Sequence, residues 1–176
     1  MKNKPIILVA GEPKSIFFEI FFKAIKNKRY KSPLILICCK KILLQQMRKY
    51  KFKKTLKLIE INKIKDININ NDSINLINIE LEKQTNKKLQ TEITRKYIGK
   101  TFDIAFKLIK NGLTDKFING PINKKKFLNK KFNGVTEYIS ENFKKRKIGM
   151  LIYNEILSVC PLTTHLPIKL VTKEIN

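Results

Sequence analysis

The chain has one histidine, three cysteines and four arginines in 176 residues, and no apolar run long enough to cross a bilayer. Each scarcity excludes something. The lone His165 cannot by itself hold a divalent ion, because imidazole-bound metals take three or more protein ligands. Cys38, Cys39 and Cys160 are odd in number and show neither zinc nor redox spacing. They read as buried free thiols of a reducing cytosol, and the chain as cytoplasmic. Every apolar stretch is interrupted by Lys, Asn or Glu, which rules out a transmembrane helix. The start, Met1 to Ala10, is basic then apolar, but Gly11-Glu12-Pro13-Lys14 follows where a signal peptide would carry small residues. A buried first strand is the better reading.

Acidic residues are also scarce. Fourteen Asp and Glu face 38 Lys and Arg, a formal charge of +24. Such a charge attracts polyanions at long range. Yet 34 of the 38 are Lys, whereas Arg is the residue that forks onto guanine and stacks on bases. Lys also rises together with Asn, Ile and Phe, all residues of AT-rich codons. Compositional drift accounts for all four; selection for a nucleic-acid surface accounts for the Lys alone. A nucleic-acid partner is therefore not expected, although a basic polyanion-binding protein stays open as an alternative.

Ile6 to Val9, bounded by Pro5 and Gly11, reads as a buried strand. Ser15 is placed to cap a helix over Ile16 to Lys28, with Ile16, Ile20, Lys23 and Ala24 near one face and four Phe making it apolar on two sides. Pro33 to Cys39 is a second strand, and Lys40 to Lys49 a helix with Leu43, Leu44 and Met47 inward. Leu56 to Ile61 alternates as a strand. The Lys/Asn/Ile-rich stretch near 62–80 reads as a surface excursion, with a weak strand from Ile74 to Leu81. Thr91 to Lys110 is the longest helical pattern, with Ile93, Tyr97, Ile98, Thr101, Ile104, Ala105, Leu108 and Ile109 in register and Asn111-Gly112 as its stop. A short strand, 115–119, runs into Gly120-Pro121. Helices follow at 124–129 and 136–145, then two adjacent strands, Ile148 to Tyr153 and Leu157 to Cys160. Pro167 to Asn176 looks like the first turns of another helix. Strands alternating with helices of ten or more residues predict an α/β fold with a largely parallel sheet.

Four short elements sit where strands end, and loops there line the ligand crevice of an open α/β sheet. Gly11-Glu12-Pro13 follows the first strand. Asn119-Gly120-Pro121-Ile122-Asn123-Lys124 follows the strand at 115–119; its Gly permits close backbone approach, and Lys124 at a helix start can hold a phosphate or carboxylate. In Gly134-Val135-Thr136-Glu137, Thr136 can cap a helix or grip a phosphate there. Thr163-Thr164-His165-Leu166-Pro167 carries the histidine. Each also has an ordinary reading: a strand-to-helix turn with a surface Lys, a simple cap, a satisfied imidazole.

In order, spacing and placement these elements resemble the 4-hydroxythreonine-4-phosphate dehydrogenase family. The resemblance runs along the whole chain, densest from 91 to 170 and thin from 40 to 90. It implies the isocitrate-dehydrogenase-like architecture, truncated: the family is about twice as long, so 1–176 is its amino-terminal part. It implies oxidation of 4-phosphohydroxy-L-threonine by NAD or NADP with a divalent metal (Zn, Mg or Co) as Lewis acid, then decarboxylation to 3-amino-2-oxopropyl phosphate, in pyridoxal phosphate (vitamin B6) biosynthesis. By position in the motifs, His165 is a metal ligand and Thr136 a substrate contact, with Lys124 a weaker substrate contact. The two motif residues His165 and Thr136 are expected to face one cleft. No catalytic or cofactor-binding residue is assigned, since the other metal ligands and most of the cofactor site fall in the missing half. Val135 replaces a family histidine and removes one hydrogen bond to substrate. The family is dimeric, so a homodimer or a complementing chain is expected, with an apolar patch beside 148–160. An inactive truncated remnant of the enzyme is the remaining alternative.

Overall fold

The computed structural model describes residues 3–27, 30–64, 67–128, 132, 134–144, 148–163 and 166–175. The chain divides into two compact units, Met1–Lys131 and Phe132–Asn176.

The first unit is built on five strands, β1 (Ile6–Val9), β2 (Leu34–Cys38), β3 (Leu56–Leu58), β4 (Ile74–Asn78) and β5 (Phe117–Asn119), in the order β3-β4-β2-β1-β5. All pairings are parallel, with Leu8 opposite Leu36 and Ile118, and Leu36 opposite Leu76. The α/β fold with a parallel sheet is as the sequence implied. Parallel sheets persist where helices cover both faces, and that is the case here. Helices α1 (Phe17–Asn27) and α2 (Lys40–Lys49) lie on one face, where Phe18, Phe22, Leu43 and Met47 pack on Leu8, Leu36 and Leu76. The alternate strand residues Ile7, Val9, Ile35 and Ile37 are fully buried toward the other face. Helix α3 (Lys87–Lys110) packs there, against β1 and β2.

Several helices follow expectation with corrections of face. In α1 it is Phe17, Phe18, Phe21 and Phe22 that are buried, while Ile16 and Ile20 are each 56% exposed. The phenylalanines fill the larger gap over the sheet and stack on one another, Phe22 also on Phe52 at 4.6 Å between ring centres. Leu43 and Met47 of α2 are buried and Leu44 is half-buried. Helix α3 begins one turn before the expected start, because the Asn86 side chain accepts hydrogen bonds from the Lys88 and Leu89 amides. Phe102 and Phe106 complete its buried face; Ile93, Ile104 and Ile109 are only half-buried. Gly112, at φ +76°, closes it as expected.

In the stretch near 62–80 the described residues up to Asp72 lie mostly at the surface as read, Ile64 apart, and the weak strand expected from Ile74 is a core strand of the sheet. Residues Ile61–Lys63 form a 3-10 turn, and β4 lies between β3 and β2, buried from Ile74 to Ile77. Asn71 staples the preceding loop to the start of β2: its Oδ1 accepts from the Leu34 amide at 2.8 Å, and its Nδ2 donates to the Tyr30 and Ser32 carbonyls at 2.9 Å. Asn75, buried in β4, donates to the carbonyls of Leu34 and Asn70.

The second unit contains α5 (Val135–Asn142) and α6 (Ile168–Glu174); a short α4 (Lys124–Phe127) belongs to the first. The expected strands at 148–153 and 157–160 reduce to a single antiparallel bridge, Ile152 with Val159. Hydrogen bonds of 2.8 and 2.9 Å join that pair, and among the described residues no third strand lies beside it to extend the ladder. Cys38 and Cys39 are buried free thiols as read, but Cys160 is an exposed one.

Candidate functional site

The loops after β1 and β5 leave the sheet toward opposite faces. The first enters α1, and the second enters α4, which packs against α3. Adjacent strands whose connections diverge mark the topological switch point, where open α/β sheets bind ligands. Here the two loops are pressed together. The Gly120 amide donates to the Val9 carbonyl at 2.7 Å, and the Glu12 amide to the Pro121 carbonyl at 2.9 Å. A Cβ on Gly120 would overlap the Ala10 carbonyl oxygen and stand 2.8 Å from a ring carbon of Phe17. A Cβ on Gly11, at φ +74°, would overlap the Pro121 carbonyl oxygen. Both glycines are thus required by close backbone approach. The Glu12 carboxylate also accepts from the Asn123 amide at 3.4 Å, tying the two elements expected at the crevice to each other.

Beside this junction a cleft of about 620 Å³ opens at the carboxyl ends of the strands. Glu12, Pro13 and Lys14 form one side, Ile42, Gln45 and Gln46 of α2 another. The segment after β4 (Leu81, Lys83, Gln84), the first turns of α3 up to Arg95 and Ile98, and Lys126 with Phe127 of α4 complete it. Gln90 fixes one wall: its Oε1 accepts from the Gln84 amide at 2.6 Å, and its Nε2 donates to the Glu82 carbonyl at 3.4 Å. Four cations, Lys14, Lys83, Arg95 and Lys126, line the cleft with one carboxylate, Glu12. The nearby acid Glu80 accepts from the Asn78 side chain at 2.8 Å and pairs with Lys41 at 3.3 Å; Asn78 first and then Lys41 hold its carboxyl below the usual range.

Cys38 and Tyr97, buried at the strand ends, are not poised as nucleophiles. Burial pushes the Cys38 thiol well up. The Tyr97 phenol is also pushed up by burial, and its oxygen accepts from the Cys39 amide at 2.9 Å. Both stay protonated at neutral pH and serve the packing of α3 on β2.

The expected site residues fall in different places. Lys124 opens α4 as expected, exposed, after Asn123, whose side chain accepts from the Lys126 amide at 3.1 Å. Thr136 is exposed in the first turn of α5, but it does not cap the helix: Gly134 holds that position. His165 lies outside the described residues, and so does the expected shared cleft of His165 and Thr136. Among the described residues no group of three His, Cys, Asp or Glu could hold a metal ion, and none of the helices is long and apolar enough to cross a membrane. Sequence reasoning missed the cleft, and Arg95 within it. The available signal was the rarity of arginine, one of four in the chain, on the polar flank of the longest helix.

Residues 30–176 match the family described as pyridoxal phosphate biosynthetic protein PdxA. The 4-hydroxythreonine-4-phosphate dehydrogenase of Vibrio cholerae serotype O1 is 28% identical over 180 residues, covering all of this chain and 53% of the relative. The chain therefore spans about half the length of the curated relative it matches. Among solved structures, a Salmonella typhimurium protein assigned as a 4-hydroxythreonine-4-phosphate dehydrogenase superposes with a TM-score of 0.76 at 21% identity, over 95% of this chain and 53% of that one. The Klebsiella pneumoniae 4-hydroxythreonine-4-phosphate dehydrogenase gives a TM-score of 0.71 at 20% identity, over 97% and 53%. At these identities the structures speak for the fold, and the sequence match speaks for the lineage: the chain belongs to the PdxA family of pyridoxal phosphate biosynthetic proteins.

Proposed function

We propose that the chain is the amino-terminal part of an enzyme that oxidises 4-phosphohydroxy-L-threonine with NAD or NADP and a divalent metal. The 3-oxo acid formed then loses carbon dioxide and leaves 3-amino-2-oxopropyl phosphate. The observation that carries this reading is the family match over residues 30–176. The nicotinamide, when bound, takes the hydride from the substrate hydroxyl carbon, and the protein positions the two partners. Thr136, exposed in the first turn of α5 with its hydroxyl free to donate, would hold substrate. Lys124, exposed at the start of α4, would offer a charge to its phosphate or carboxylate. His165 would be one metal ligand.

The described donors of this chain do not make a metal site alone. The described residues hold no three-ligand group, and His165 is the only histidine. On this reading the remaining ligands are supplied by a complementing chain or a second subunit, and no step of the reaction is assigned to a metal. The test is an assay of reduced nicotinamide. The purified chain alone, with substrate, either cofactor and a divalent metal, should give no turnover. Adding the part of the Vibrio cholerae enzyme that lies beyond the matched segment should produce it. Turnover by the isolated chain would overturn the division of the site; no turnover in the mixture and no substrate binding to it would overturn the activity.

A further inference from the structure

We infer that a second cleft, at the amino ends of the strands, binds a single-chain amphipathic anion, a free fatty carboxylate, with its tail on an apolar floor and its head at Lys54. The inference does not depend on the dehydrogenase reading. None of the residues assigned to that reaction lines this cleft, which lies at the end of the sheet away from the Gly11–Gly120 junction.

Three observations carry it. The first is the cavity itself. It measures about 1440 Å³ and lies between the carboxyl half of α1 and the segment that joins β3 to β4. That is more than a compact small-ligand site needs, and an extended ligand makes better use of it. Phe21, Ile25, Leu36, Ile64, Ile69 and Ile74 supply the apolar lining. Side-chain atoms that face a void have no partners on that side and forgo dispersion contacts. A flexible apolar tail restores those contacts and leaves water as it does so.

The second observation is charge. Lys26, Lys31 and Lys54 line the same cleft, and among the described residues none of the three has a carboxylate partner. A fourth, Lys4, pairs with Asp115 at 3.5 Å. Asp72 is the one acid in the described lining, and its carboxylate accepts from the Asn70 side chain at 2.6 Å. Lysine is abundant everywhere on this chain, so these cations alone would mean little. Lys54 is set apart because it is half-buried, whereas Lys51 and Lys53 just before it are exposed. A half-buried ammonium beside apolar surface suits an anion whose remainder is apolar. The third observation is that the walls are fixed before binding. Asn71 ties the 70–73 loop to the start of β2, the Lys57 ammonium donates to the Asn68 carbonyl at 2.8 Å, and the Asn3 side chain donates to the Lys31 carbonyl at 3.4 Å. Little ordering is then needed on binding.

Calorimetric titration of the purified chain with butanoate, hexanoate, octanoate and decanoate, each below its aggregation threshold and at near-physiological salt, tests this. Decanoate should bind saturably, and each added methylene should tighten binding by about fourfold. Lys54→Gln should weaken decanoate by about tenfold, the loss expected when a charge-assisted hydrogen bond is removed. The control is Lys100→Gln, an equal charge change on α3 at the other face of the sheet, which should leave the affinity within about twofold if the effect is local and not a general screened attraction. Ile69→Asp, which sets a like charge on the floor, should abolish saturable binding. Circular dichroism verifies that each variant is folded, and the chain-length series needs no variant. Equal weakening by Lys54→Gln and Lys100→Gln would reduce the head site to part of a diffuse basic surface. Affinity independent of tail length would overturn the apolar floor. Loss of binding on replacing the exposed Ile156 and Leu162 by Ser, with Ile69→Asp unchanged, would move the tail to the second unit and overturn the site.

Discussion

The two units of the chain treat their apolar residues in opposite ways. In the first, strand residues such as Ile7, Val9, Ile35 and Ile37 are completely buried, and helices seal both faces of the sheet. In the second, Ile156 is 96% exposed, Ile168 89% and Leu162 84%, and among the described residues the last buried apolar one, Leu128, precedes the unit. The second unit is no less apolar in sequence. It has local structure, two helices and a bridge pair, but no layer for them to pack on. Helix signals act within one turn or two, whereas a core needs a second element of matching face. Apolar area left in water forgoes about 25 cal/mol for each Å². The first unit therefore carries the stability of the chain, and the second carries unsatisfied surface.

The largest expected effect attacks the first half of that contrast. Phe102 is fully buried in α3 and touches the rings of Phe106, Phe117 and Phe127. Phe102→Ala should cost about 3–5 kcal/mol in urea unfolding, the usual loss for a buried aromatic truncated to Ala. Tyr153→Ala, at a side chain 72% exposed in the second unit, should stay within about 0.5 kcal/mol. Comparable losses at the two positions would erase the distinction between the units.

Next in size is the junction of the two loops. Gly120→Ala sets a methyl against the backbone of Ala10, which cannot rotate away as a side chain can. The loops must separate, at about 1–3 kcal/mol, the ordinary cost of overpacking. The cleft beside them should change too, since Glu12 stands on one of those loops and Lys126 in the helix that the other enters. Loss of stability with unaltered hydrogen exchange at the Glu12 and Lys126 amides would show that the cleft does not depend on the glycine junction.

How much of this was legible in the sequence depended on how local each cause is. β1 was readable as an apolar run bounded by Pro5 and Gly11, β2 as a continuous apolar run from Pro33, and α2 by its period. The burial of β4 from Ile74 to Ile77 was not, because Asn75 interrupts the pattern. Asn75 is tolerated inside only because two carbonyls far apart in sequence accept from its amide, a fact no window of residues contains. The true start of α3 was hidden because its first turn, Lys87 to Gln90, is polar apart from Leu89, and only the Asn86 cap marks it. The second unit misled in the other direction. Ile148 to Tyr153 has the β-branched and aromatic composition of a strand, but strand propensity expresses itself only against neighbours. At the site, Gly11 and Gly120 were readable as turn residues; that they touch each other follows from the strand order. Arg95 gained meaning only when α3 was laid across the sheet.

A smaller effect separates local from tertiary causes within the first unit. The Asn86 side chain satisfies two amides at the exposed start of α3. Asn86→Ala should cost about 1 kcal/mol and fray the first turn without disturbing Phe102. Hydrogen exchange would read this as faster exchange confined to residues 87–91. Faster exchange spreading to the buried half of the helix would mean that α3 is held by its cap and not by its packing.

The smallest expected effect on unfolding is also the one that most directly tests what the second unit lacks. Ile156→Ser combined with Leu162→Ser removes two of the most exposed apolar side chains, so the unfolding free energy should move by less than about 0.5 kcal/mol. Their consequence should appear between molecules instead. At low ionic strength the +24 charge keeps copies apart. Near 1 M salt the screening length falls to about 3 Å, and that repulsion is lost while the apolar attraction remains. Light scattering of the unmodified chain should therefore show its mass rising with salt, the reverse of an association driven by charge, and the double variant should rise less. A falling mass would assign association to the lysines. A monodisperse monomer at every salt level would show that the exposed face of the second unit is tolerated in water and needs neither a second copy nor a complementing chain.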